Sequence, residues 1–323
     1  MSRTPRRAVA SAAAASALLL TGCGSGDAQA GAADGVAVTA AFYPLEWAAE
    51  RVGGDRVDVT SLTPPGAEPH DLELTPQDVA SLSEADLVVY LQGFQSAIDE
   101  AVAEAGDAAW DAGQAADLSL TTEEHSHEGE TEEEHAEHSG EEEHAGEGGE
   151  VTDPHFWLDP TRLADVGDAL AERLAEADPD GAATYEENAA ALRSDLEGLD
   201  AEMQEGLSDC AVSTLVTSHD AFGYLADRYG LEVVGISGLS PSSEPSAASL
   251  AEIAGLVEER GVTTVYTETL VDPAVAETVA REAGVQTAVL DPLEGLTDES
   301  AGSDYLEVMR ADLATLQEGQ GCA

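Results

Sequence analysis

The chain has 323 residues, enough for two domains of ordinary size, and 43% of them are hydrophobic, so well-packed cores can form. Its 66 acidic residues against 12 basic ones give a net charge of −54 at pH 7. Nucleic acids and anionic lipid surfaces repel such a chain, which excludes both as direct partners. The acidic residues are typical of a solvated surface suited to solubility or salt; the alternative interpretation is that their field gathers cations.

The pattern at the N-terminus is typical of a targeting segment. Three arginines within the first seven residues precede a short apolar run at 8–20. This run is too short to span a bilayer and ends in Leu20-Thr21-Gly22-Cys23, which resembles a bacterial lipobox. We therefore predict a signal peptide at 1–22, lipidation of Cys23 on the extracytoplasmic face of the cell membrane, and a flexible tether at 23–35. The alternative is an ordinary signal peptide in which Cys23 is incidental.

Two cysteines, Cys210 and Cys322, remain once Cys23 is lipidated. Disulfides persist in oxidising compartments, so an even pair of cysteines outside the cytoplasm predicts a bond between them. That disulfide would tie the C-terminus back to the start of the second domain.

Strand and helix patterns alternate in the first part of the chain. They predict strands at 36–42, 56–62 and 86–91 and helices at 45–52, 76–82 and 96–105. This alternation is typical of a parallel sheet, whose ligands bind beyond the carboxyl ends of the strands. His70 lies in a loop rich in proline that follows the second strand, so it belongs to that end of the sheet.

A polar insertion separates this part from the next. Residues 121–150 hold thirteen glutamates and five histidines, and such a low-complexity segment should be disordered. Directly after it, His155 lies between Asp153-Pro154 and Asp159-Pro160, where the apolar pattern resumes and Pro160 can open a helix.

A long amphipathic helix is predicted at 185–207, because its apolar residues recur at intervals of three and four: Leu192, Leu196, Leu199, Met203 and Leu207. We interpret 181–208 as a stiff linker between an N-terminal α/β lobe at 36–180 and a C-terminal lobe at 209–323. The second lobe repeats the alternation, with strands at 211–217, 233–236, 263–267 and 285–290 and helices at 222–229, 249–260, 273–283 and 305–316.

Four side chains that follow strands or lie in loops could bind a metal: His70, His155, His219 and Asp291. Three imidazole nitrogens and one carboxylate oxygen suit tetrahedral zinc, and a nitrogen-rich set favours zinc over manganese. We expect these ligands at equivalent strand ends of the two lobes. The sequence contains no His-Glu-x-x-His motif and no Gly-x-Ser-x-Gly motif, so neither that class of zinc protease nor a serine hydrolase is supported.

Several neighbours of these residues need separate interpretations. Glu68 could approach the metal, or it could be a solvated loop carboxylate. Glu244 is interpreted as capping or hinge structure, and Trp157 and Phe222 as the apolar surroundings that fix the orientation of the ligand rings. Asp220 is expected to orient the loop of the preceding histidine or to cap the following helix.

Three stretches carry a family resemblance: Glu68-Pro69-His70-Asp71-Leu72-Glu73, residues 153–160, and residues 217–224. They resemble the metal-binding solute-binding lipoproteins of ABC transporters (cluster A-I), in particular the ZnuA-like zinc branch. Shorter matches lie at 235–241, 244–246 and 290–293. The resemblance implies two α/β lobes joined by a rigid helix, with Zn²⁺ in the cleft between them and delivery to a membrane permease.

By motif match, the resemblance implies His70, His155, His219 and Asp291 as the ligands. The manganese branch usually carries glutamate where His219 stands, which favours zinc. Zinc members often have a His-rich loop before the second ligand, and 121–150 occupies that place, although it is richer in glutamate than in histidine. The expectation is therefore a monomeric carrier and not an enzyme.

Three alternatives stay open. The first is a manganese- or iron-binding protein of the same family, and the second is an extracellular metal buffer or adhesin. The third is a secreted zinc hydrolase, which would need an open coordination position for water that four protein ligands do not leave.

Overall fold

The computed structural model describes residues 35–123 and 150–323. The predicted signal peptide at 1–22, the lipidation of Cys23 and most of the insertion at 121–150 lie outside these residues. Among the residues that are described, none of the helices combines the length and the apolar character needed to cross a bilayer.

The N-terminal sheet consists of parallel strands in the order β2-β1-β3-β4. They are β1 Val36–Ala40, β2 Val57–Ser61, β3 Leu87–Tyr90 and β4 Ala109–Asp111. Helices α1 Tyr43–Gly53, α2 Pro76–Leu82 and α3 Ser96–Ala101 lie between them. The predicted strands and helices of this region are confirmed, except that the chain after α3 continues as 3₁₀ turns. The short strand β4 was not predicted, because three residues are too few for a periodic pattern.

A two-stranded antiparallel ribbon stands at the ends of the insertion. It pairs β5 Thr121–Glu123 with β6 Glu150–Thr152. The expectation of disorder is therefore wrong for these terminal residues, since backbone hydrogen bonds to the partner strand order them. The ribbon brings the two ends of the insertion side by side.

The long helix is confirmed as α5 Ala182–Gly206, and it follows α4 Pro160–Ala177. Its predicted apolar residues are buried. They pack against α4 and α1, and a Cβ at Gly167 of α4 would lie 2.8 Å from a methyl carbon of Leu192. This close contact makes α5 part of the hydrophobic core along its length.

The C-terminal sheet has parallel strands in the order β10-β9-β7-β8. They are β7 Thr214–Thr217, β8 Glu232–Gly235, β9 Thr264–Thr267 and β10 Gln286–Val289. The helices are α6 Gly223–Tyr229, α7 Ala247–Arg260, α8 Ala274–Ala283 and α9 Tyr305–Gln320. All of these elements were predicted, with ends that differ by a few residues. Each sheet thus runs second, first, third and fourth strand in chain order.

The predicted disulfide is present between Cys210 and Cys322. It joins the end of α9 to the segment before β7. The largest apolar core contains residues of both sheets and of α4, α5 and α9, and contacts group Gly35–Ala323 into one unit. The lobe boundaries at 36–180, 181–208 and 209–323 therefore stay a prediction.

Candidate metal centre

Three histidines and one glutamate converge at the carboxyl edges of the two sheets: His70, His155, His219 and Glu294. One possible ligand atom from each lies within 4.8 Å of all the others. His155 and His219 are 0% exposed and Glu294 is 1% exposed, whereas the His70 side chain retains 8% exposure. The group is therefore nearly sealed from solvent, and only the side chain of His70 is in contact with solvent.

Three of these side chains lie in loops that follow strands of the two sheets, and the fourth does not. His70 lies in the loop after β2, and His219 follows β7 by two residues. Glu294 lies in the loop after β10, whereas His155 directly precedes the 3₁₀ turn Phe156–Leu158 between β6 and α4. Because the strands of each sheet are parallel, their carboxyl ends share one edge, and these loops meet there.

The loop of His70 is held by Glu68. The Glu68 carboxylate accepts hydrogen bonds from the backbone N–H of His70 at 3.1 Å and of Asp71 at 3.0 Å. Glu68 is not a member of the converging group, so it supports the loop instead of facing a metal. The His70 ring packs edge-on against Phe94, with centroids 4.6 Å apart.

A carboxylate orients the ring of His155. Asp153 Oδ1 lies 2.8 Å from His155 Nδ1 and also accepts the His155 backbone N–H at 2.9 Å. This fixes the ring with Nε2 towards the group. Gly223, at the start of α6, makes room for the pair, because a Cβ there would lie 2.3 Å from Asp153 Oδ2.

A second carboxylate does the same for His219. Glu268 Oε2 lies 2.7 Å from His219 Nδ1, and Oε1 accepts the His219 backbone N–H at 3.1 Å. Glu268 is 6% exposed and follows the last residue of β9 directly. Sequence reasoning missed it, although the strand-end argument that selected His219 applies equally to Glu268.

The remaining ring nitrogens face one carboxylate oxygen. Glu294 Oε1 lies 3.2 Å from Nε2 of His70, 3.2 Å from Nε2 of His155 and 3.1 Å from Nε2 of His219. The Nε2 atoms of His70 and His155 are themselves 3.4 Å apart. Three nitrogens and one oxygen therefore point at a single small volume.

This clustering shifts the pKa values. Burial opposes protonation of His219, but the charges of Glu268 and Glu294 outweigh it and raise the pKa of His219 well above its usual value. For His155, burial is likewise outweighed by hydrogen bonds to Asp153 and Glu294, which raise its pKa. Burial favours neutral Glu294, yet the charge of His219 and the three histidine contacts hold its pKa well below the usual value.

Asp291, which was predicted as a ligand, does not reach this group, and the ligand set itself stays a prediction. Asp291 is absent from the converging group, and Oδ1 accepts the backbone N–H of Leu293 at 2.9 Å. Oδ2 accepts the hydroxyls of Thr269 at 3.3 Å and Ser300 at 3.0 Å. The chain then turns through Leu293, whose φ is 57°, and this turn carries Glu294 into the group. The predicted loop does bring a carboxylate to the three histidines, but that carboxylate belongs to Glu294, because strand-end reasoning does not resolve the path of a turn.

Trp157 lies against the ring of His155, as was expected of this aromatic neighbour. Trp157 and Phe222 are fully buried, and the Trp157 ring centroid lies 5.2 Å from that of His155. Trp157 Nε1 donates to the carbonyl of Pro292 at 2.8 Å. This bond links the turn that bears His155 to the loop that bears Glu294.

The capping parts of two interpretations are wrong, whereas their alternatives, that Asp220 orients the loop of His219 and that Glu244 is hinge structure, stay predictions. The first turn of α6 has no side-chain cap, so Asp220 does not serve there; its backbone N–H donates to the Gly238 carbonyl at 3.0 Å. Glu244 is exposed, and the cap of α7 is Ser246, whose hydroxyl accepts the backbone N–H of Ser249 at 3.1 Å.

A cavity of about 240 Å³ lies on the exposed side of His70. Loops that follow strands of both sheets, helix α3 and the ribbon line it, and the lining includes Phe94, Asp99, Thr152 and Ser240. Since the other three members of the group are sealed, this cavity is the side on which an ion can reach them.

The donor set fits a specific metal chemistry. Imidazole nitrogens suit zinc, copper, iron and nickel, and tetrahedral sites with histidine and one carboxylate are typical of zinc. The two hydrogen-bonded carboxylates behind the rings are the arrangement that orients histidine ligands in metal sites. Fold and site together define a two-sheet α/β protein with an enclosed metal-binding centre at the facing sheet edges.

The chain belongs to the ZnuA family, described as zinc-uptake complex component A, periplasmic, whose model matches residues 38–319. It is 35% identical over 314 residues to the high-affinity zinc uptake system protein ZnuA of Bacillus subtilis, covering 94% of this chain and 95% of that protein. It is also 37% identical over 298 residues to the zinc-binding lipoprotein AdcA of Streptococcus pneumoniae. That match covers 87% of this chain but 55% of AdcA, so the chain spans about half the length of this relative.

A solved structure agrees with this assignment. The crystal structure of the Zn(II)-bound ZnuA-like domain of Streptococcus pneumoniae AdcA superposes with a TM-score of 0.68 at 33% identity, and the match covers 88% of this chain and 99% of that one. The expected fold class, with two parallel sheets flanked by helices and a long helix, is thereby confirmed.

Proposed function

We propose that this chain captures Zn²⁺ outside the cytoplasm through His70, His155, His219 and Glu294 and delivers it to the permease of an ABC importer. The observation that carries the proposal is the convergence of the four ligand atoms within 4.8 Å in a nearly sealed site. The hydrogen-bonded carboxylates behind His155 and His219 support it, because they leave Nε2 of each ring free to bind metal.

The names of the relatives support zinc as the cargo, since AdcA is named a zinc-binding lipoprotein and the Bacillus protein belongs to a zinc uptake system. They also support a location outside the cytoplasm. Anchoring through Cys23, a monomeric state and the permease partner are finer parts of the same proposal. Capture and release of an ion need no bond-making step, so we propose a carrier and not an enzyme.

A zinc competition titration of matched variants tests the ligand set. Glu294→Gln removes the anionic oxygen at almost constant shape, and we expect zinc affinity to fall by more than about 100-fold, beyond the range usual for residues that only orient a ligand. Glu282→Gln, an exposed change of the same type on α8, is the control and should leave affinity unchanged.

The same titration of Asp291→Asn compares the two carboxylates of this loop directly. Asp291 orders the turn without facing the group, so its loss should cost less than the loss of Glu294. A larger loss in Asp291→Asn than in Glu294→Gln would restore Asp291 as the ligand. Manganese should compete poorly with zinc in the parent protein, and equal competition would overturn the choice of metal.

A further inference from the structure

Trp157 contacts both regions of the chain that supply the metal centre. It follows His155 by two residues and is fully buried, and its ring packs against that of Phe94 with centroids 5.4 Å apart. Its indole N–H donates to the carbonyl of Pro292 at 2.8 Å, in the loop after β10. A buried indole N–H needs a partner, so this bond fixes the loop relative to the ring.

A second hydrogen bond holds Trp157 itself. The hydroxyl of Tyr305, the first residue of α9, donates to the Trp157 carbonyl at 2.6 Å. Tyr305 is fully buried and stacks on Trp47 of α1, with ring centroids 4.8 Å apart. The backbone that carries the indole is therefore anchored to a helix near each end of the described chain.

The turn that the indole holds contains an uncommon backbone conformation. Leu293 has a φ of 57°, and residues other than glycine persist in this left-handed region where their surroundings enforce it. Trp157 binds the carbonyl of the peptide group between residues 292 and 293, and Asp291 Oδ1 accepts the N–H of the same peptide group at 2.9 Å. One peptide group is thus held from both sides. Glu294 follows directly, and its Oε1 faces the three histidine rings.

We propose that the indole N–H of Trp157 positions Glu294 for zinc retention, because together with Asp291 it fixes the peptide group on which the turn depends. The effect on the metal rests on the function proposed above. Without the indole donor, the buried carbonyl of Pro292 loses its partner, so the turn relaxes and the Glu294 oxygen withdraws from the centre. The three histidines stay in place and still capture the ion, so the loss falls on the rate of zinc release.

Zinc release from the loaded full chain into excess chelator, followed by stopped flow, tests this role. Trp157→Phe keeps a buried ring and removes the N–H, and we expect release at least about tenfold faster, as for other groups that orient metal ligands. The association rate should stay close to that of the parent. Trp110→Phe makes the same change in β4 and is the control. Equal release rates in the two variants overturn the proposal.

A double-mutant cycle tests the path through Glu294. Glu294→Gln already lacks the anionic oxygen, so adding Trp157→Phe should weaken zinc binding further by less than about threefold. A further loss as large as that in the parent background would mean that Trp157 acts through His155 alone, and it would overturn the proposal. If Trp157→Phe does not fold, Tyr305→Phe replaces it, since it removes one hydroxyl at almost constant shape. Release from that variant at the rate of the parent would then overturn the proposal.

A measurement without metal separates this inference from the proposed function. In the zinc-free protein, the amide hydrogen of Leu293 should exchange at least about tenfold faster in Trp157→Phe than in Trp110→Phe, because its bond to Asp291 opens with the turn. Equal exchange rejects the positioning role whatever the zinc affinity is. Faster exchange in Trp157→Phe, together with no zinc binding by the parent, would sustain the positioning of the loop and reject the proposed function.

Discussion

The two sheets share one strand order but supply the metal centre differently. In the N-terminal sheet His70 follows the second strand, whereas in the C-terminal sheet His219 follows the first strand and Glu294 follows the fourth. His155 comes from a turn after the ribbon and follows no strand of either sheet. The four converging side chains therefore do not lie at equivalent strand ends of the two sheets.

The repeated topology therefore creates the shared carboxyl edge of each sheet, but it does not determine which loops supply the metal centre. Parallel strands bring their carboxyl ends together whichever strand carries the ligand, so any of these loops can contribute. The supporting carboxylates differ in the same way. Asp153 lies two residues from His155, whereas Glu268 lies 49 residues from His219 along the chain.

The largest expected effect is on stability and concerns the disulfide. Among the described residues, only the C-terminal half has such a covalent link. The Cys210–Cys322 bond closes a loop with a sequence separation of 112. Replacing both cysteines with alanine should lower the free energy of unfolding by up to roughly 4–5 kcal/mol, because the unfolded chain regains entropy. Urea unfolding measures this. An unchanged midpoint would show that the C-terminal half does not depend on its disulfide.

The supporting carboxylates give the next effect. Glu268→Gln and Asp153→Asn should each lower zinc affinity by about 10–100-fold, since each carboxylate orients a ligand ring. Each accepts two hydrogen bonds from its histidine, so we expect losses of similar size despite their different separations along the chain. Competition titration of both variants against Glu282→Gln provides the comparison. A loss confined to one variant would mean that only one half of the centre needs such support.

The histidines should make the zinc-free protein sensitive to pH. The pKa of His219 is raised from its usual 6.5, so above pH 6.5 the folded state binds more protons than the unfolded state. The stabilisation that His219 contributes is complete below pH 6.5, and it is lost as the pH rises through the folded-state pKa of His219. Glu294 has the opposite effect, because its pKa is lowered from 4.5 in the folded state. Its contribution to the free energy of unfolding is present above pH 4.5 and is lost as the pH falls through the folded-state pKa of Glu294.

We therefore expect the melting temperature of the zinc-free protein to decline as pH rises above about 6.5, while zinc affinity increases because protons compete less for the imidazoles. Melting curves in chelator and zinc titrations across this range measure both trends. The decline should be weaker in His219→Ala. If that variant declines as steeply as the parent, the trend originates elsewhere.

The smallest effect concerns the insertion. Replacing residues 124–149 by a two-residue Asn-Gly turn keeps the ribbon intact and should leave one tight zinc per molecule, because the four proposed ligands lie outside it. The histidines and glutamates of the insertion should add weak, multiple sites that the deletion removes. Calorimetric titration of both forms decides this. Identical titrations would mean that the insertion is a solvated spacer, and loss of the tight site would mean that it supplies a ligand.

The sequence by itself determined most strands and helices of the two sheets, the long helix, the disulfide partners and the three histidines, but neither the short strand β4 nor the ribbon. These features rest on local patterns: the period of apolar residues fixes α5, and loops after apolar strands place His70 and His219. Only the tertiary structure places Glu294 and not Asp291 next to the histidines, since the turn through Leu293 determines which carboxylate reaches them. It alone paired Glu268 with His219, because that contact joins the ends of two neighbouring strands, and no local pattern records which strands lie side by side.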